Sequence, residues 1–158
     1  MNLMSDKIWT YPLRLVAHYF VAVFGGMIVG FFPELWLGHL YRYTPIEPFT
    51  PAIAFTALLL GYFLSYRLDR VHLAGWTWIL GLVWLLYGAH ELTSSWSASW
   101  SNDRSALDYA RRELFGLQRF CGDTECLYQF VFTTPFAASL MYSVGGFLKS
   151  LREAQTSP

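Results

Sequence analysis

Hydrophobic positions in this chain fall in long unbroken blocks, and polar residues gather between them. The clearest block is residues 73–89, LAGWTWILGLVWLLYGA, which carries no charge. Arg67, Asp69, Arg70 and His72 stand before it, and His90 and Glu91 follow. A helix of this length rises about 25 Å, close to the hydrocarbon thickness of a bilayer. It reads as a membrane-spanning helix. Three more blocks, at about 14–32, 51–66 and 127–148, read the same way. The predicted fold is all-α: a polytopic membrane protein with a four-transmembrane-helix bundle. Residues 1–158 form a single membrane domain with outer loops at 33–50 and 90–126.

Local signals punctuate the blocks. Residues 1–13 read as a short tail, with Trp9 and Tyr11 where an interfacial aromatic belt belongs. No cleavable leader is expected, since the first apolar run is long and lacks a small-residue cleavage site after it. Arg14 can snorkel to the headgroups. Pro33, Pro45 and Pro48 break helix in the first outer loop, and Trp36, Tyr41 and Tyr43 are expected at the membrane surface. Thr50 is expected to cap the second span, with Pro51 in its first turn. Pro135 should kink the fourth span, with Thr133 and Thr134 satisfying the carbonyls it frees.

Small residues recur at helical spacing: Ala22, Gly26 and Gly30; Ala57, Gly61 and Ser65; Gly81 and Gly88. Ser139 and Ser143 share a face. Such stripes let helices approach closely, which favours packing within the bundle over a dimer face. The second outer loop holds Trp96 and Trp100 four apart, then an amphipathic pattern. Leu107, Ala110, Leu114 and Leu117 line one side, and Arg104, Asp108, Arg112 and Glu113 the other. An extracytoplasmic amphipathic helix, on the membrane or capping the bundle, is expected there.

Composition agrees with this reading. The chain is 54% hydrophobic and only 14% charged, against about 25% charged in soluble domains. Net charge is zero, so nothing suggests a nucleic-acid partner. The termini and the 67–72 turn hold Lys7, Arg14, Arg67, Arg70, Lys149 and Arg152 against three acids. The two outer loops hold five arginines against eight acids and are far longer. Positive charge is denser on the terminal side, which is therefore assigned to the cytoplasm. Cys121 and Cys126 then fall in an oxidising space, where a Cys-x4-Cys disulfide stapling loop to helix is expected.

Candidate chemistry is sparse. Membrane thiol oxidases of the disulfide-bond-forming and vitamin K epoxide reductase type are also four-helix bundles with cysteines near the membrane surface. They use a Cys-x-x-Cys and a second pair, which this chain lacks, so no membership follows. His18 is the ionisable residue deepest in a span, which makes it a functional candidate. A neutral imidazole bonded to a neighbouring helix is the state expected for it. His39, His90, Glu34, Glu47 and Glu91 gather on the outer side and are ligand types for zinc, without diagnostic spacing. No phosphate-binding glycine loop, His-Glu-x-x-His or Gly-x-Ser-x-Gly is present.

The reading is a small integral membrane protein, a non-catalytic accessory or interaction protein of a membrane complex, with no cofactor. Its expected partners are the lipid bilayer and a membrane protein or a second copy. Its expected location is the bacterial inner membrane, with both termini cytoplasmic and the cysteine pair periplasmic. The alternatives are a thiol, quinone or haem redox protein, and a binder of lipid or a small molecule in a pocket near Pro135.

Overall fold

The structure is a computed structural model of the chain, and it describes residues 5–29, 49–68, 73–95, 105–115 and 127–156. Among these, every regular element is helical. Helix α1, Ser5–Phe20, continues through a π-helical turn, Val21–Gly25, as far as residue 29. Helix α2 is Phe49–Leu68. A 3-10 turn, Leu73–Trp76, leads into α3, Thr77–Ser95. Helix α4 is short, Ala106–Phe115. The last helix opens at residue 127 and passes through a π-helical turn, Gln129–Thr133. It becomes α5, Thr134–Thr156.

Among the described residues, three helices rather than the expected four are long and apolar enough to cross a membrane. They are Thr10–Val29, Leu73–Ser95 and Gln129–Gln155. The stretch expected as the second span supplies a shorter apolar helix, Pro51–Leu64. Helix α2 as a whole has 20 residues, a rise of about 30 Å at 1.5 Å per residue, similar to the thickness of a hydrocarbon core. Element ends also differ from the prediction. The supposed tail is helical from Ser5, with Pro12 inside the helix. Helix α2 starts at Phe49, so Thr50 lies in the first turn instead of capping it. The last helix continues past Leu148 to Thr156, where Lys149 and Glu153 form an i,i+4 ion pair at 4.0 Å.

Small and polar side chains fill much of the interior beside a smaller set of large apolar ones such as Leu85, Leu92 and Phe132, while many large apolar side chains are exposed. Ala22, Ala57, Ala74, Ala138, Gly61, Gly81, Gly145, His18, Thr77, Ser139 and Ser143 are buried. Leu13, Phe20, Phe24, Ile28, Phe55, Phe63, Val83, Leu86 and Phe147 are exposed, Leu13 by 71%. A bundle folded in water buries its large apolar side chains, because their removal from water is the driving force. Hydrocarbon removes that drive. Helices then associate through close backbone packing and interhelical hydrogen bonds, which small and hydroxylated residues supply.

Helix α5 is the hub. On one side it meets α2 backbone to backbone. A methyl group at Gly61 would overlap the Tyr142 carbonyl, and one at Gly145 would overlap that of Leu58. Ile53 and Ala57 share a core with Ala138 and Tyr142, so α2 and α5 run parallel. At their common end Arg152 Nη1 donates to the Tyr62 hydroxyl at 2.7 Å. On the other side α3 runs antiparallel to α5, with Gly81 against Ser139 and Phe136, and Gly88 against the Phe132 ring. Helix α1 enters through Ala22 and Gly26, the latter close to Ile53 and Ala57 of α2.

Helix α4 packs across α3 and the π-helical turn, burying Ala110 and Leu114 against Leu85, Leu92 and Phe132. Ser105 caps it. Its hydroxyl accepts from the Asp108 amide at 3.2 Å and donates to the Asp108 carboxylate at 2.9 Å. An acid in the first turn also suits the positive end of the helix dipole. Leu107, expected on the apolar side with Ala110 and Leu114, is instead 74% exposed. Leu117, Trp96 and Trp100 lie outside the described residues.

Candidate functional site

Polar side chains collect in one layer where α1, α3 and α5 meet. His18 is 1% exposed and Tyr142 fully buried, with His18 Nδ1 and the Tyr142 hydroxyl 2.9 Å apart. The two rings are tilted at 57° with centroids 5.8 Å apart. Depending on the imidazole tautomer, the phenol donates to Nδ1 or accepts from it. The bond joins α1 to α5 across 124 residues of sequence.

Next to this pair, the hydroxyl of Ser143 links α3 to α5. It accepts from the Trp78 amide at 3.2 Å and donates to the Ser139 carbonyl at 3.0 Å. The Trp78 amide is in the first turn of α3, where backbone donors lack full intrahelical partners. Ser143 therefore serves that helix as an N-terminal cap from another element. Ser139 donates to the Phe136 carbonyl at 2.9 Å and fits against Gly81. Thr77, fully buried, donates to the Leu73 carbonyl at 3.5 Å, a long bond. Neither serine is set against an imidazole base. Both give their protons to main-chain carbonyls, the arrangement of structural hydroxyls in lipid.

A second polar group surrounds the break in the last helix. Pro135 has no N–H to give to the carbonyl four residues back, that of Val131. Trp84 of α3 fills the vacancy: its indole N–H donates to the Val131 carbonyl at 2.8 Å. Thr134 donates to the Gln129 carbonyl at 3.3 Å, inside the π-helical turn. Thr133, expected to serve its own helix, instead donates to the Leu114 carbonyl at 2.6 Å. Leu114 is next to last in α4, where carbonyls have no intrahelical donor, so one threonine completes a helix that is remote in sequence. Trp84, Tyr87, Tyr128 and Phe132 form an aromatic cluster over this region, with centroid separations from 5.5 to 6.5 Å.

The remaining sequence candidates are not brought together. His90 and Glu91 are exposed near the end of α3. Glu34, His39 and Glu47 lie outside the described residues. Among the described residues no group of three or more His, Cys, Asp or Glu side chains is placed to hold a metal ion. Of the small-residue positions, Ala22, Gly26, Ala57 and Gly61 are all buried at helix contacts, and Gly30 is outside the described residues.

The expected disulfide is corrected. No disulfide bond is present among the described residues, and Cys121 and Cys126 both lie outside them.

Several residues that organise the site escaped the sequence reading. Tyr142 looked like one more aromatic in an apolar run, although its place one turn from Ala138 and beside Ser143 marks it as inward-facing. Nor is Trp84 singled out by its place in the apolar run of 73–89. A tryptophan near the level of a proline in a neighbouring span was the available signal, because the freed carbonyl needs a donor. Gly145 was passed over because its stripe is continued by Tyr142 and Ala138 rather than by further glycines. No family model matches the chain, and no match to it is found among the curated proteins or the solved structures.

Proposed function

We propose that this protein is a non-catalytic accessory or interaction subunit of a membrane complex, a single membrane domain in which α2 crosses the bilayer as a fourth span. The supporting observation is how the buried polar groups are used. The hydroxyls of Thr77, Thr133, Thr134, Ser139 and Ser143 all donate to backbone carbonyls. The His18 imidazole is bonded to a tyrosine of another helix. The bonds His18–Tyr142, Thr133 to Leu114 and Trp78 to Ser143 join helices, the other hydroxyls serve carbonyls of their own helical segments, and the layer they form is suited to holding a shape. Helix α2 has 20 residues, enough to rise about 30 Å, and it is seated on α5 in backbone contact at Gly61 and Gly145.

By the density of basic residues on the terminal side, both termini are proposed to be cytoplasmic, in a bacterial inner membrane. The proposed partner is another membrane protein or a second copy, reached through the outward faces of the bundle. Extraction in a mild detergent tests the reading. A colourless particle of defined mass, larger than one 18.2 kDa chain after subtraction of detergent, is expected. A single chain that carries a stoichiometric chromophore overturns it.

A further inference from the structure

We propose that α4 is a lipid-binding helix, with the edge formed by Leu107, Arg111 and Phe115 seated in the bilayer leaflet at the loop end of the bundle. The proposal rests on the reading of α3 as a membrane span. Leu107, Arg111 and Phe115 are spaced four apart, which places them along one edge of a helix within an arc of about 80°. The bundle face, with buried Ala110 and Leu114, borders this edge on one side. Exposed Asp108 and Arg112 border it on the other. The helix thus has three faces: one for protein, one apolar with a single cation, and one polar.

Depth makes the middle face a lipid face. The Thr133 hydroxyl holds the Leu114 carbonyl at 2.6 Å. Its neighbour Phe132 packs its ring on Gly88 of α3, which fixes the level of the contact along that helix. Gly88 and Ala89 end the uncharged run of α3, and exposed His90 and Glu91 come only beyond it. The C-terminal end of α4 therefore sits at or just below the hydrocarbon boundary, and Phe115 is 55% exposed there. At that level the surrounding medium is acyl chain. Arg111, one turn before Phe115, is within snorkelling reach of the phosphate of the same lipid. The occupant is a phospholipid, with its phosphodiester on Arg111 and its chain along Phe115 and Leu107.

Photocrosslinking of the full chain in vesicles of phosphatidylglycerol and phosphatidylcholine tests this. Benzoylphenylalanine is placed singly at Leu107, Phe115, Arg112 or Val83. One-phospholipid mass adducts are expected at Leu107 and Phe115 and not at Arg112. Val83, exposed in the middle of α3, reports on the span itself. Adducts at Val83 without any at Phe115 overturn the proposal and leave the span intact. Loss of adducts at Val83 overturns the membrane reading of α3 first. A crosslink from Phe115 to a polypeptide assigns the edge to a protein partner and overturns the lipid. Arg111→Gln should lower the Phe115 adduct yield about fivefold. An unchanged yield overturns the assignment of the phosphate to Arg111.

Discussion

At the residue scale, two kinds of side chain carry the structure: glycines that let backbones touch, and hydrogen-bond donors that close gaps in helices. Gly61 faces the Tyr142 carbonyl, and a methyl there has nowhere to go. Gly61→Ala should cost about 1–3 kcal/mol by forcing α2 off α5. Gly75→Ala should be nearly silent, since a Cβ there meets nothing within 4 Å. Denaturation in mixed micelles compares the two, and equal losses would mean that the α2–α5 contact is looser than described. The Trp84 bond to the Val131 carbonyl makes a paired prediction. Trp84→Phe leaves that carbonyl without the indole donor and should cost about 1 kcal/mol. Pro135→Ala restores an amide to position 135, so the same tryptophan substitution should cost less in that background. A double-mutant cycle reads the difference. Tyr109 supplies a pH effect outside the spans. Burial, and secondarily the nearby Glu113 carboxylate, push its phenol above the ordinary value of 10. Below that value the phenol is neutral in folded and unfolded chains alike. As pH rises past it the unfolded chain ionises first, so stability falls until the folded phenol ionises too. Tyr109→Phe should flatten the stability profile above about pH 10, measured as the unfolding midpoint in detergent.

At the element scale, helices here are completed by one another. The first turn of α3 takes a cap from Ser143 on α5, and the last turn of α4 takes one from Thr133 in the π-helical turn. Helix α4 has ten residues, too few to hold in isolation. Its start depends on Ser105, and its end on Thr133. Ser105→Ala should cost about 1 kcal/mol of local stability. Hydrogen exchange should then accelerate across residues 106–115 and leave α5 unchanged. Uniform acceleration across the chain would show that α4 unfolds only with the whole bundle. Parts of this level were legible beforehand. The pattern of Ala110 and Leu114 pointed inward, and Ala57, Gly61, Gly81 and Gly88 have the spacing of close contacts. The error at Leu107 has a physical cause. A stripe gives angle around a helix but not which positions a neighbour covers: Leu107 lies about 20° from Leu114 around the axis, yet it is exposed while Leu114 is buried.

At the scale of the molecule, large apolar side chains cover much of the exterior, unlike that of a water-soluble bundle. The parallel pair α2 and α5, with α3 antiparallel between turns, brings the end of α2, the start of α3 and the end of α5 to one face. The C-terminus should therefore share a side with the end of α2 and the start of α3. Protease treatment of sealed inside-out and right-side-out vesicles, with an epitope at each terminus, should remove both epitopes from the same preparation. Cleavage of the two from opposite preparations would break the proposed topology.

The order of residues alone determined that the chain is helical and apolar in long segments, since an uncharged run of this length has one stable conformation in lipid. It also marked where backbones are able to approach, at Gly26, Ala57, Gly61, Gly81 and Gly88, although Gly75 meets no neighbour. Which of these positions meet was decided only by the tertiary structure. The His18–Tyr142 bond, the Trp84 donor for the Val131 carbonyl and the Thr133 cap on α4 join segments 19 to 124 residues apart. Periodicity reports a side chain's direction from its own axis and nothing of what stands opposite. In a medium where almost any apolar surface is tolerated, it is the polar and small groups, few and distant, that choose the arrangement.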